Sequence, residues 1–173
     1  MSTSLYDMSV ANYIQTVTAV AGVLDKGLAY CTSKSIDPGE FVEAKLFADM
    51  LPFRFQVVSV AHHSLGAVEA LRKGVFAPPG QTAQLDYHGL QKLIADTAEG
   101  LRRFMPAEVN ALQGRDVTFQ IRDRKIPFTA EGFVLSFSLP NFYFHATTAY
   151  DILRTKGVPL GKRDFLGQLR LKS

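Results

Sequence analysis

Cysteine is nearly missing from this chain, tryptophan is missing altogether, and no apolar run is long enough to cross a bilayer. Each absence excludes something. With Cys31 as the single cysteine, no internal disulfide can form and no cysteine-rich metal site can be built. A lone cysteine near a helix end reads as a small packing residue rather than a reactive thiol. A spanning helix needs about 20 apolar residues in succession, and charged or polar residues interrupt every run here well before that. The opening Met1-Ser2-Thr3-Ser4-Leu5-Tyr6-Asp7 has no basic start followed by an apolar block, so a cytoplasmic protein is expected. No Ser-His-Asp order, phosphate-cradling glycine loop or paired carboxylates stand out, which leaves the common hydrolase and nucleotide-binding chemistries without support.

Charge bias is also scarce. The net charge is +3, and the basic residues are scattered except for Arg115, Arg122, Arg124 and Lys125, and for Lys162, Arg163, Arg170 and Lys172 near the end. These read as solvated faces and a basic tail, so nucleic acid is not an expected partner, nor is a membrane. What is present is apolar: 47% hydrophobic residues over 173 positions suit a single soluble domain spanning 1–173 with a proper core.

The apolar residues recur with helical spacing. Ile14, Val17, Ala21, Leu24 and Leu28 alternate steps of three and four, predicting a first long helix over about 9–30. Asp37-Pro38-Gly39-Glu40 has the form of a helix start, predicting a short helix through Leu46. Pro52 suits the first turn of a second long helix, which should stop at Gly74. Its buried face is predicted as Phe53, Val57, Val60, Ala61, Leu65, Val68 and Leu71. Leu85, Leu90, Leu93, Ile94, Leu101 and Phe104 give a third long helix with Tyr87 and His88 near its start, where His88 reads as solvated. Pro106-Ala107-Glu108-Val109 opens a further turn.

The period then changes. Val117, Phe119 and Ile121 alternate with polar residues, and after a turn at Asp123, Arg124 and Lys125 a second alternation sets Phe133, Leu135, Phe137 and Leu139 against Ser136 and Ser138. This predicts a β-hairpin of 117–121 with 133–139, leaning on the bundle or on a second subunit, since a two-stranded ribbon is marginal alone. A homodimer is the expected assembly. Pro140 then starts the fourth long helix, running to about Lys156 and ended by Gly157, with an apolar tail that packs.

That last helix carries the candidate site. Read at about 100° per residue, Phe142, Ala149, Ile152 and Leu153 share one side with His145, and Asn141 lies a turn earlier at the edge of the same arc. A neutral imidazole buried there needs a hydrogen-bond partner or a metal, because leaving it unpaired costs roughly 1–3 kcal/mol. On the second helix His62 and His63 flank the apolar face on opposite sides. Periodicity does not choose between them; Gly66, Glu69 and Lys73 beside His62 read as the wet side, which favours His63 as the interior one. Four long amphipathic helices predict an all-α, up-down four-helix bundle with a small β-hairpin inserted before the last long helix, and bundles place metal or cofactor sites between side chains of facing helices.

At this point the chain resembles a known group. A second helix with a histidine at its middle, together with Pro140-Asn141-Phe142-Tyr143-Phe144-His145, Ile152-Leu153-Arg154 and Gly157-Val158-Pro159-Leu160-Gly161-Lys162-Arg163-Asp164-Phe165-Leu166-Gly167, resembles the DinB-like superfamily of bacterial four-helix-bundle metalloproteins. Within it, these strings, with Ser4-Leu5-Tyr6-Asp7 and Asp49-Met50-Leu51-Pro52 with Gln56, resemble a family catalogued only as a domain of unknown function. The resemblance implies a divalent metal, zinc or nickel, held by one histidine of the second helix and two positions, spaced by four, on the last. Carried over, these fall on His63, Asn141 and His145. Asn141 stands where the superfamily has histidine, and its neutral carbonyl oxygen is a poor ligand for either metal, so reduced affinity is expected. Relatives include thiol-dependent transferases in which the metal activates a small thiol. The same chemistry here, with a thiol or water as nucleophile, would be metal-dependent, with Asp49 in support and Phe55, Phe142, Tyr143 and Tyr150 as pocket walls. The alternative is a non-enzymatic dimeric bundle in which His63, Asn141 and His145 form a metal-free buried network and the protein binds a small ligand or partner.

Overall fold

The computed structural model describes residues 3–80 and 84–172. Ser4 caps a one-turn helix α1 (Leu5–Met8), its hydroxyl accepting from Asp7 N–H, and the chain turns at Ser9 into α2 (Val10–Lys34). The buried face of α2 is broader than the predicted seam. Tyr13, Val17, Val20, Leu24, Gly27 and Cys31 form its centre, while Ile14, Ala21 and Leu28 sit half-buried along the edge. Next, α3 is only Gly39–Val42, shorter than predicted; Pro38 rather than Asp37 stands at its cap, and Asp37 just before it accepts from Gly39 N–H at 2.9 Å.

The second long helix runs as α4 (Phe53–Ala61), a wide π-turn (His62–Gly66) and α5 (Ala67–Lys73), stopping at Gly74 with φ of 74°. After β1 (Val75–Phe76) comes α6 (Tyr87–Arg102), capped by Asp86 accepting from Gly89 N–H, then α7 (Pro106–Asn110). His88 is exposed, as its place near a helix start implied. The bundle closes because α2 packs against α6 and α9 (Leu139–Thr155), and α4 packs against the same pair. Contact between α2 and α6 is tight: the Tyr87 hydroxyl donates to the Leu24 carbonyl at 2.9 Å, and a Cβ at Gly27 would collide with that hydroxyl. The tail ends in α10 (Lys162–Leu166), held on α2 by Lys26 with Asp164 and by Gln15 donating to the Leu166 carbonyl.

The hairpin is corrected by the structure. Its first strand is β2 (Asp116–Ile121), but the second is β3 (Arg124–Thr129), paired antiparallel so that Phe119 faces Ile126, with the turn at Arg122-Asp123. Residues 133–139 are helical. From α8 (Ala130–Phe133) the chain passes through a second π-turn (Val134–Ser138) straight into α9. The alternation there mimicked a strand because Phe133 and Phe137, four apart, also share a helical face, while Leu135 is left half-exposed. The sheet gains a third strand, β1, which pairs parallel with β2 and sets Phe76 beside Phe119. Pro127 lies on β3, an edge strand, where its missing N–H costs no ladder bond.

The second π-turn has a local cause. Pro140 follows it, has no N–H to donate, and its ring would press on the carbonyl four residues back; widening the preceding turn relieves both. The two π-turns meet. Ser138 Oγ donates to the His63 carbonyl at 2.7 Å, which uses its only proton, so Tyr13, whose hydroxyl lies 2.7 Å from Ser138 Oγ, must be the donor to it. All three groups are buried, and burial pushes the Tyr13 phenol above its usual range, so it stays protonated.

Removing the middle of this chain leaves two buried groups unpaired, whereas removing its end leaves one acceptor idle. Ser138→Ala is therefore expected to lower unfolding free energy by about 2 kcal/mol or more, and Tyr13→Phe by about 1 kcal/mol. Urea denaturation of both variants measures this, and equal effects near zero would show that the chain of hydroxyls carries no stability.

Candidate functional site

Two stripes of side chains meet where α4 faces α9. On one side are Phe55, Ser59, His62 and His63; on the other Phe137, Asn141 and His145 follow one another at intervals of four. The sheet covers them with Phe76 and Phe119, the two residues paired across β1 and β2, and Pro78 and Pro79 complete the wall. Together they line a partly open cavity of about 330 Å³. The sheet is therefore part of the site rather than an appendage to the bundle.

His63, Asn141 and His145 all line this cavity. The imidazoles of His63 and His145 lie 5.8 Å apart, centre to centre, with planes 22° apart. His62 was expected on the wet side and is not there. In a straight helix consecutive residues diverge by about 100°, but the π-turn beginning at His62 narrows that angle, so both histidines enter the same cavity. The His62 ring lies on Phe76 at 4.4 Å, and Gly66, one turn on, leaves room for it. Phe55 walls the site as expected. Phe142 does not: it is core, edge-on to Tyr13 at 5.0 Å. Tyr150 packs on Phe165, and Tyr143 lines no part of the cavity. Asp49 is exposed and outside it; the supporting group is Gln56.

Gln56 fixes the protonation of His145. Its Nε2 donates to the Leu51 carbonyl at 2.8 Å, which orients the amide so that Oε1 faces His145 Nδ1, also at 2.8 Å. An amide oxygen only accepts, so Nδ1 carries the proton and Nε2 keeps its lone pair. Asn141 is arranged alike: its Nδ2 donates to the Phe137 carbonyl at 2.7 Å, leaving Oδ1 as the acceptor. His63 Nδ1 and His62 Nε2 are buried without a partner among the described residues. The cavity thus presents acceptors and orphaned imidazole nitrogens, and among the described residues no carboxylate, lysine or arginine lines it.

Burial holds these rings neutral. Loss of hydration, with the neighbouring His62 and His145, pulls His63 down to about 3, and burial pulls His145 down to about 4. His62 is lowered for the same reason. Neutral imidazoles meet no proton competition as ligands near pH 7. No set of three His, Cys, Asp or Glu side chains among the described residues is placed to hold a metal ion.

The geometry defines a class: a DinB-like helical bundle with its candidate site between the second and last long helices. A crystal structure of a DinB family member protein from Shewanella denitrificans shares this fold, with a TM-score of 0.85 and 28% identity over 98% of this chain and 95% of that one. More specifically, the chain belongs to the family described as Domain of unknown function (DUF1993), which it matches over residues 5–166. No curated protein matches it. Among the described residues no helix is long and apolar enough to cross a membrane.

The depressed histidines set the sign of the pH dependence. Unfolded, each takes a proton below about 6.5; folded, His63 and His145 resist until about 3 and 4. Their contribution to stability is complete above pH 6.5 and is lost as pH falls through that window. The melting temperature should therefore drop between pH 7 and pH 4, and the slope should flatten in His63→Gln/His145→Gln. An unchanged slope in that variant would assign the loss to other groups.

Proposed function

We propose that the cavity is the active site of a metal-assisted enzyme in which His63, Asn141 and His145 hold a divalent zinc or nickel ion and a small thiol or water serves as nucleophile. The observation that carries this reading is the locked tautomer of His145. A metal-ligating histidine characteristically donates its other ring N–H to an oxygen, and the Gln56 amide does so here while leaving the Nε2 lone pair unused. The residues fit a weak site: two neutral imidazoles and one amide oxygen, with no anionic ligand to neutralise the ion. A bound ion would supply Lewis acidity, favouring deprotonation of a thiol or water beside it. The protein's own part is to exclude water with Phe55, Phe76, Phe119 and Phe137 and to hold the acceptors in place.

A second reading rests on the aromatic lining: the imidazoles and amides are a buried polar network, and the cavity binds a small ligand without any metal. Zinc titration of protein purified without a histidine tag separates the two. Under the metal reading zinc binds at one saturable site, His145→Ala abolishes binding, and Gln56→Leu weakens it about 10–100-fold. Asn141→His, which restores a third imidazole, tightens it by roughly tenfold or more. A wild-type protein with no saturable zinc binding, joined by an Asn141→His variant that also fails to bind, would leave the metal-free reading.

A further inference from the structure

The chemistry of the cavity wall narrows what it can admit. Among the described residues around it there is no carboxylate, ammonium or guanidinium, and its three imidazoles lie close together, the His63 ring 5.4 Å from His62 and 5.8 Å from His145. A carboxylate, phosphate or sulfate entering here would lose its hydration and find no lysine or arginine. An ammonium would lose hydration and find no carboxylate. Ionised groups are admitted to buried sites only when paired.

Aromatic surface is what the cavity offers instead. Phe119 and Phe137 rings lie 4.6 Å apart, Phe76 lies 6.0 Å from Phe137, and Phe55 stands edge-on to His145 at 5.8 Å. A cavity of about 150 Å³ with an apolar lining takes up benzene, so about 330 Å³ has room for one substituted ring and falls near the lower limit for ligand pockets. Polar demands remain beside the orphaned His63 Nδ1 and His62 Nε2. His145 Nε2 and Asn141 Oδ1 both accept, and nothing among the described residues donates to them.

We propose that the ligand of this pocket is an uncharged, single-ring or similarly compact apolar molecule bearing one hydrogen-bond donor, an alcohol, phenol or protonated thiol, which meets His145 Nε2 while its apolar body lies among Phe55, Phe76, Phe119 and Phe137. The proposal rests on the cavity being the functional site, as argued above, and not on a metal being present.

The test uses three probes that share one ring: benzyl mercaptan, 4-(mercaptomethyl)benzoate and 4-(mercaptomethyl)benzylamine. Each is titrated calorimetrically at pH 7 into the full chain with a chelator present, and zinc binding is titrated separately. The neutral thiol is expected to bind at least about tenfold more tightly than either charged analogue, and to outbind toluene. In His145→Phe the advantage over toluene should vanish while toluene still binds. Equal or tighter binding of a charged analogue overturns the proposal even if zinc binds, as does failure of the neutral probe to saturate. Selective binding of the neutral probe with no zinc uptake upholds it while removing the metal. The wild-type comparison needs no variant, so the outcome does not depend on how His145→Phe folds.

Discussion

Two widened helical turns facing one another, joined by a single serine hydroxyl, are the constraint on which this site depends. Ser138 belongs to the π-turn that leads into α9 and donates to the carbonyl of His63 in the π-turn that follows α4. Tyr13, arriving from α2, closes the chain by donating to Ser138. One buried three-group relay therefore sets three of the four long helices in register. It also determines which side chains α4 and α9 turn toward each other, since a slip of either turn would rotate His63 or Asn141 out of the cavity. Buried backbone carbonyls must be paired, and here the pairing of one fixes the geometry of the chemistry beside it.

Much of the fold was legible because helical periodicity and its punctuation are local. Gly74 and Gly157 both stop helices with positive φ, and Asp86 caps α6 with its side chain. What could not be read was the π-turn. The alternation over 133–139 reads as a strand although Phe133 and Phe137 also share a helical face, and the ordinary α period puts His62 and His63 on opposite sides because it does not allow for the wide turn at His62. Signals were present: Pro140 embedded in a continuous helical stretch, and Gly66 one turn after His62. Neither suffices alone. The parallel pairing of β1 with β2 was hidden for another reason, because a two-residue strand has no period and is made only by the partner it meets.

The candidate site divides along the same line. Asn141 and His145 could be placed together from the sequence because residues four apart share a helical face, whereas His63 was favoured over His62 by its neighbours and by the family resemblance. Phe76, Phe119 and Phe137 could not be assigned to it, since they come from a strand, its partner and a π-turn that only tertiary pairing assembles. Gln56 could be noticed as part of a motif, but its task follows only from seeing Leu51 take one end of its amide.

The two amides give the site its chemical character. Gln56 and Asn141 each give their NH2 group to a backbone carbonyl, of Leu51 and Phe137. Each amide is thereby oriented with its oxygen turned away from that carbonyl. The Gln56 oxygen goes to His145 and converts that ring's far nitrogen into an acceptor as well. The cavity is thus left with two oriented acceptors, His145 Nε2 and Asn141 Oδ1, beside the neutral imidazoles of His62 and His63. Such a surface has two ways to be satisfied: a cation that accepts lone pairs directly, or a neutral molecule that donates a proton to one of them. The missing anionic ligand weakens the first, and the ring-lined wall strengthens the second. Asparagine at 141 moves the balance in the same direction, because an amide oxygen is a weak metal ligand and a good hydrogen-bond acceptor.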